Sequence, residues 1–181
     1  RRFRHVLRDN ILEGGVTELV ESFEAGDHAA GVALQHVENP RQFSVADVED
    51  DGTVHELIEK PDDPPSDLVL IGTYVFLPAI FDAIATLEPS WRGELEITDA
   101  IQSLLDDGSL IDSTVVEGWW KDTGKWEEVL DANRLVLEDA LNTVDGTIED
   151  GTDITGQVDV GEGTTIESDA LVRGAVSIGE D

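Results

Sequence analysis

The stretch LVLIGTYVFLP, residues 68–78, decides the fold. It is apolar throughout apart from Thr73 and the Tyr74 hydroxyl, carries no charge, and ends on Pro78. A strand with one wet face alternates apolar and polar residues, whereas a strand covered on both faces reads as a nearly continuous apolar run. This stretch therefore predicts a central strand with a layer packed on each side. The neighbouring segments supply those layers. VTELVESFEAG places Val16, Leu19, Val20 and Phe23 at helical spacing and stops at Gly26. HAAGVALQHV reads as a buried strand, and FSVADVEDDGTVHELIEKP as a hairpin turning at Asp51-Gly52. PAIFDAIATL and LEITDAIQSLLDDG read as helices, LIDSTVVEG as a strand, and KWEEVLDANRLVLEDAL as an amphipathic helix. Residues 3–7 read as a strand that runs into LRDN. Alternating strands and helices predict an α/β fold, an open mixed sheet with helices on both faces.

At Gly146 the period changes. Ile148, Ile154, Val160, Ile166, Val172 and Ile178 recur every six residues, each preceded two places earlier by Gly146, Thr152, Val158, Thr164, Ala170 or Val176. A helix does not produce a period of six, and a simple strand does not carry a Gly, Asp or Ser in each hexad. Hexapeptide repeats of this kind predict a left-handed β-helix whose coils stack. The expected domains are residues 1–141 and 142–181. The chain contains no Met, opens on what reads as a strand already under way, and closes in mid-pattern on VSIGED. It is expected to be part of a longer protein.

Composition narrows the function. There are 41 Asp and Glu against 11 Lys and Arg, a net charge of −30. Binding nucleic acid needs a basic surface, so nucleic acid is excluded as an expected partner. Acidic side chains spread over turns and helix faces keep a surface hydrated when concentrated salt screens charge over about 3 Å, which points to a halophilic protein. The sequence has no run of about 18 apolar residues, so no membrane span is expected, and a cytoplasmic location follows as an expectation. With no Cys, neither disulfides nor thiolate metal sites are available. His5, His28, His36 and His55 fall in strand segments without metal-ligand spacing and read as structural.

The candidate chemistry is carried by four separated pieces. In GWWKDTGK, Asp122 follows two tryptophans and precedes a helix. It could serve as a turn former or cap, but Thr123 could cap that helix equally well and leave Asp122 for other work. LRDN places Asp9 at the end of a strand, where open α/β sheets bind ligands. EKP ends a hairpin arm with Glu59 and Lys60. WRGELEITD brings Arg92, Glu94 and Glu96 to the start of a helix.

Taken in order, LRDN, ENPRQFSV, EKPDDPPSDL, GTYVFLPAIFDAI, RGELEITDAI, GWWKDTGK and LDANRLVL resemble the sugar-1-phosphate nucleotidyltransferases, above all the long glucose-1-phosphate thymidylyltransferases with a hexapeptide tail. The resemblance implies a nucleotide-diphospho-sugar transferase sheet. It also implies transfer of a nucleotidyl group from a nucleoside triphosphate, dTTP in that family, to a sugar 1-phosphate such as glucose 1-phosphate, with release of pyrophosphate. It assigns Mg²⁺ to Asp9 and Asp122, and catalytic roles to those two with Lys60 and Arg92. It assigns substrate binding to Ser44, Glu59, Lys60, Gly72, Tyr74 and Arg92, and it implies a homo-oligomer. Two carboxylates suit Mg²⁺, which takes one or two from protein and completes its octahedron with phosphate and water. The chain departs from the family by having Arg8 and Ser44 where the family has Gly, and the family's Gly-rich triphosphate loop has no counterpart in these residues. An alternative function is therefore a non-catalytic paralogue, or a regulatory or assembly subunit, of the same fold. A hexapeptide acyltransferase is a third class, disfavoured because residues 146–181 contain no His.

Overall fold

The computed structural model describes residues 3–6, 9–90, 92–139 and 143–180, with side chains from residue 9 onward. The chain divides into two compact units between Asp122 and Thr123.

The first unit is built around the strand that the opening stretch predicts. The strands are β1 (Phe3–Val6), β2 (Asn10–Leu12), β3 (Ala30–His36), β4 (Ser44–Val48), β5 (Val54–Glu59), β6 (Leu68–Phe76), β7 (Ile111–Val115) and β8 (Trp120–Asp122), with helices α1 (Thr17–Ala25), α2 (Ala79–Thr86) and α3 (Ile97–Asp106). The main sheet runs β5-β4-β6-β3-β7, with β1 also paired to β6. It is mixed: β3 and β7 are parallel, whereas β6 runs antiparallel to β1, β3 and β4. From Val69 to Phe76 every residue of β6 is buried. Val69, Ile71 and Val75 join Leu19 and Phe23 of α1 on one face, while Leu70, Tyr74 and Phe76 join Ile80, Ala100, Ile101 and Leu104 of α2 and α3 on the other. The lack of alternation in residues 68–76 is thus explained by helices on both faces, each large side chain gaining about 1.5–3 kcal/mol on burial.

Gly72 interrupts this strand for a reason. It sits at φ +69°, where the register with β3 slips between Val32 and Leu34. A residue with a Cβ is strained in that conformation, and bulges of this sort re-aim the backbone beside functional sites. The hairpin of β4 and β5 forms as expected, and Asp51 Oδ1 accepts the Thr53 N–H at 3.0 Å across its turn. Its tip reaches the far edge of the sheet, where the Ser113 N–H and hydroxyl both donate to the Gly52 carbonyl, at 3.1 and 2.7 Å. The sequence pattern did not foresee β2 and β8. They form an antiparallel ribbon that sets Asn10 opposite Asp122 and Leu12 opposite Trp120. Each is three residues long, too short for a period to declare itself.

The second unit holds helix α4 (Trp126–Asp139) and six short strands, β9 (Thr147–Ile148) to β14 (Val176–Ile178). The amphipathic helix expected here is present, but Trp126, Val129, Leu130 and Val136 stay exposed, and among the described residues only Ala132 is buried. In the hexads every strand pairs in parallel with the one eighteen residues on: Thr147 with Thr165, Asp153 with Leu171, Val158 with Val176. Val158, Val160 and Ile166 form a buried cluster, with Ile148, Ile154, Ala170, Val172 and Ile178 packed against it. The six branched residues marked by their period therefore share one interior. Among the described residues no helix is long and apolar enough to cross a membrane.

Candidate active site

One cleft of about 300 Å³ in the first unit collects residues from six separated segments. The β2–β8 ribbon contributes Asn10, Trp120 and Asp122. The turn into β4 contributes Gln42, Phe43 and Ser44, and the end of β5 contributes Glu59 and Lys60. The β6 bulge contributes Gly72 with Tyr74, and the entry to α3 contributes Arg92, Glu96 and Thr98.

Local backbone explains why Glu59 and Lys60 face the same space. Consecutive residues of a strand point to opposite faces. Lys60 leaves β5 in the left-handed region, at φ +45°, which breaks the alternation and lets both side chains line the cleft. Glu59 is the hub. Its Oε2 accepts hydrogen bonds from the hydroxyls of Ser44 and of Thr98, the latter at 3.3 Å. Its Oε1 accepts from Arg92 Nη1 at 3.0 Å and pairs with Lys60 Nζ at 3.5 Å. The two hydroxyls also touch each other, Ser44 Oγ to Thr98 Oγ1 at 2.9 Å.

Arg92 is presented by a closed turn. The Ser90 N–H donates to the Glu94 carbonyl at 2.8 Å, the Gly93 N–H to the Ser90 carbonyl at 2.8 Å, and the Ser90 hydroxyl to Glu96 at 3.1 Å. The guanidinium then meets three carboxylates: Glu59, Glu94 at 2.9 Å and Glu96 at 3.3 Å. Burial first, and the Glu59 charge second, push the Tyr74 phenol well above its ordinary range, so it stays neutral. The same two causes raise the Asp99 carboxyl in the first turn of α3.

At the other end of the cleft the ribbon positions Asp122. Trp120 Nε1 donates to Asn10 Oδ1 at 2.6 Å, and the Trp120 ring stands edge-on to Phe43 with centroids 5.6 Å apart. Beyond it, the Glu13 N–H donates to the Trp119 carbonyl at 3.0 Å, and the Trp119 N–H donates back to Glu13 Oε2 at 2.9 Å. Asp9 is exposed and accepts a 3.1 Å hydrogen bond from Asn10 Nδ2. Asp9 directly precedes β2, and its neighbour Asn10 stands opposite Asp122 on β8.

Of the residues singled out from the sequence, Ser44, Glu59, Lys60, Gly72, Tyr74, Arg92 and Asp122 line this cleft, and Asp9 adjoins it through Asn10. Arg8 lies outside the described residues, as does the side chain of His5. Thr98, Asn10 and Phe43 were missed. Thr98 had a faint signal, a polar residue on the inward face of an amphipathic helix, where it is 1 % exposed. Among the described residues no cluster of three or more His, Cys, Asp or Glu could hold a metal ion. His36 instead pairs with Asp67 at 2.9 Å on the surface.

Comparison with known proteins gives the same reading. The low-salt glycan biosynthesis nucleotidyltransferase Agl11 of Haloferax volcanii is 65 % identical over 156 residues, which are 86 % of this chain and 44 % of that protein. A glucose-1-phosphate thymidylyltransferase of Streptomyces antibioticus is 48 % identical over 171 residues, 94 % of this chain and 48 % of that protein. The chain therefore spans about half the length of the curated relatives it matches. A Bacillus anthracis protein described as a glucose-1-phosphate thymidylyltransferase, solved with sucrose, superposes with a TM-score of 0.66 at 34 % identity, over 78 % of this chain and 57 % of that one. The model of the nucleotidyl transferase family matches residues 3–139, and the chain belongs to that family.

Proposed function

We propose that this chain supplies the sugar-phosphate half of a sugar-1-phosphate nucleotidyltransferase, with glucose 1-phosphate and dTTP as its substrates. The observation that carries this reading is the cleft that gathers Glu59, Lys60, Arg92 and Asp122 from distant segments. Lys60 and Arg92 take the phosphate, Arg92 through a fork that matches phosphate oxygens. Glu59 and the backbone at the Gly72 bulge take sugar hydroxyls. A phosphate oxygen of the sugar phosphate attacks the α-phosphorus of the triphosphate in line. A new P–O bond forms, the bond to the β-phosphate oxygen breaks, and pyrophosphate leaves. No protein nucleophile is needed, since such transfer rests on positioning and charge stabilisation.

The chemistry of the donor set suits Mg²⁺: Asp122 on β8 and Asp9, the residue before β2, are carboxylates, and substrate oxygens and water would complete the shell. When bound, Mg²⁺ offsets the charge of the phosphates. For the hexads the reading is a left-handed β-helix that serves assembly into a homo-oligomer, supported by the eighteen-residue pairing and the shared interior.

The test is Asp122→Asn in the full-length protein, followed by pyrophosphate release from dTTP and glucose 1-phosphate. Turnover is expected to fall by about two orders of magnitude or more with the fold intact, because charge is removed and little packing is lost. Undiminished turnover would overturn the assignment.

A further inference from the structure

An ionised carboxylate offers about four acceptor positions, two on each oxygen. Among the described residues Glu59 has four protein partners. Ser44 and Thr98 are on Oε2, and Arg92 and Lys60 are on Oε1. A sugar hydroxyl can therefore donate to Glu59 only after one of these partners leaves.

The four are not held equally. Thr98 is 1 % exposed, and its hydroxyl is bonded to Ser44 as well as to Glu59. Arg92 is fixed by Glu94 and Glu96 in addition. Lys60 makes the longest contact, 3.5 Å, with a side chain 35 % exposed, and among the described residues Glu59 is its only ion-pair partner. Its place there is imposed by the left-handed backbone at φ +45°, a conformation that non-glycine residues keep only when the surroundings demand it.

We propose that Lys60 is a latch on Glu59. It closes the carboxylate to sugar hydroxyls until a phosphate group draws the ammonium away, so that phosphate recognition and sugar recognition are coupled. This rests on the reading of the cleft as a sugar-phosphate site. It adds that the bare sugar is disfavoured by the resting site, not merely unassisted by it. A phosphate, with more negative charge than one carboxylate, is the better partner for the ammonium. Once Lys60 turns to it, one position on Oε1 opens while Ser44, Thr98 and Arg92 keep the carboxylate oriented. Coupling of this kind is reciprocal: each ligand changes the other's affinity by the same factor.

The experiment uses the full-length protein, with inorganic phosphate and methyl α-glucoside as separate probes, read from the amide NMR shifts of Ser44, Gly72 and Tyr74. Saturating phosphate is expected to tighten the glucoside by about fivefold or more, and the glucoside to tighten phosphate by the same factor. Lys60→Met should bind the glucoside without phosphate more tightly than wild type does, and the coupling should vanish. Independent or mutually weakening binding of the two probes in the wild-type chain sinks the latch, as does weaker glucoside binding in Lys60→Met. If glucose 1-phosphate binds while its two parts are uncoupled, only the latch fails. If none of the three ligands moves these amides, the sugar-phosphate reading fails and takes the latch with it.

Discussion

Gly118→Ala probes how Asp122 is held in place. Gly118 sits at φ +91°, where a residue with a Cβ is strained by about 1–3 kcal/mol. A Cβ built there would lie 2.2 Å from Glu13 Oε2 and 3.2 Å from Glu13 Cβ. The carboxylate is the free end of a side chain, so it can swing aside, but it then gives up the N–H of Trp119. A hydrogen bond to a charged acceptor contributes about 1.5–3 kcal/mol. Gly118→Ala should therefore cost about 2.5–6 kcal/mol in the wild-type background. In a Glu13→Ala background the hydrogen bond is already gone and the carboxylate obstruction with it, which leaves the backbone strain of about 1–3 kcal/mol and the 3.2 Å approach to the residue-13 Cβ, common to both backgrounds. Urea unfolding of the four chains of this cycle measures the difference. With a slope of about 2 kcal/mol per molar, the midpoint shifts in the two backgrounds should differ by about 1 M. Amide exchange at Trp119 and Lys121 should accelerate in parallel, because Lys121 pairs with Ile11 in the ribbon that Glu13 closes. The same cost for Gly118→Ala in both backgrounds would refute the claim that Glu13 clasps this turn.

Phe23→Ala removes a ring that is 1 % exposed and lies 3.3 Å from where a Gly31 Cβ would stand; a loss of about 3–5 kcal/mol in urea unfolding is expected, and less than about 1 kcal/mol would contradict the packing of α1 on β6. Burial, and then Glu59, hold the Asp99 carboxyl above its ordinary 3.8 in the folded chain. A raised carboxyl penalises the folded state fully above its folded pKa, and the penalty fades as pH falls toward the unfolded value. The stability of Asp99→Asn relative to wild type should accordingly rise between about pH 3 and pH 7, and a flat or falling difference across that window would count against it. With a net charge of −30, self-repulsion is strongest at low ionic strength; the melting temperature should rise from low salt to molar KCl, and a flat or falling trend would remove the halophilic reading.

Legibility followed the range of the interactions. Residues 68–76 announced a doubly covered strand because burial on both faces removes alternation, and Leu19 and Phe23 announced α1 because one helix face meets one sheet face. The six-residue period of the hexads was readable, since each branched residue faces a shared interior and its strand pairs with the one eighteen residues away. The exposed stripe of α4 shows the limit of such patterns: spacing gave the helix, not what covers it. The β2–β8 ribbon left no trace, because its two halves are three residues each and find their partners more than a hundred residues away.

The candidate site divides in the same way. The resemblance to the family implied Ser44, Glu59, Lys60, Arg92 and Asp122 as a set, and sequence alone determined the central strand, the six-residue period and the element types apart from β2 and β8. Tertiary structure alone decided that Thr98 and Ser44 share one oxygen of Glu59 while Arg92 and Lys60 share the other, and that Asp122 stands opposite Asn10. A period records only what a residue's near neighbours in the chain must be. Which oxygen a side chain reaches depends on a bulge at Gly72, a left-handed step at Lys60 and a closed turn at Ser90, and those are settled only when the distant segments have packed.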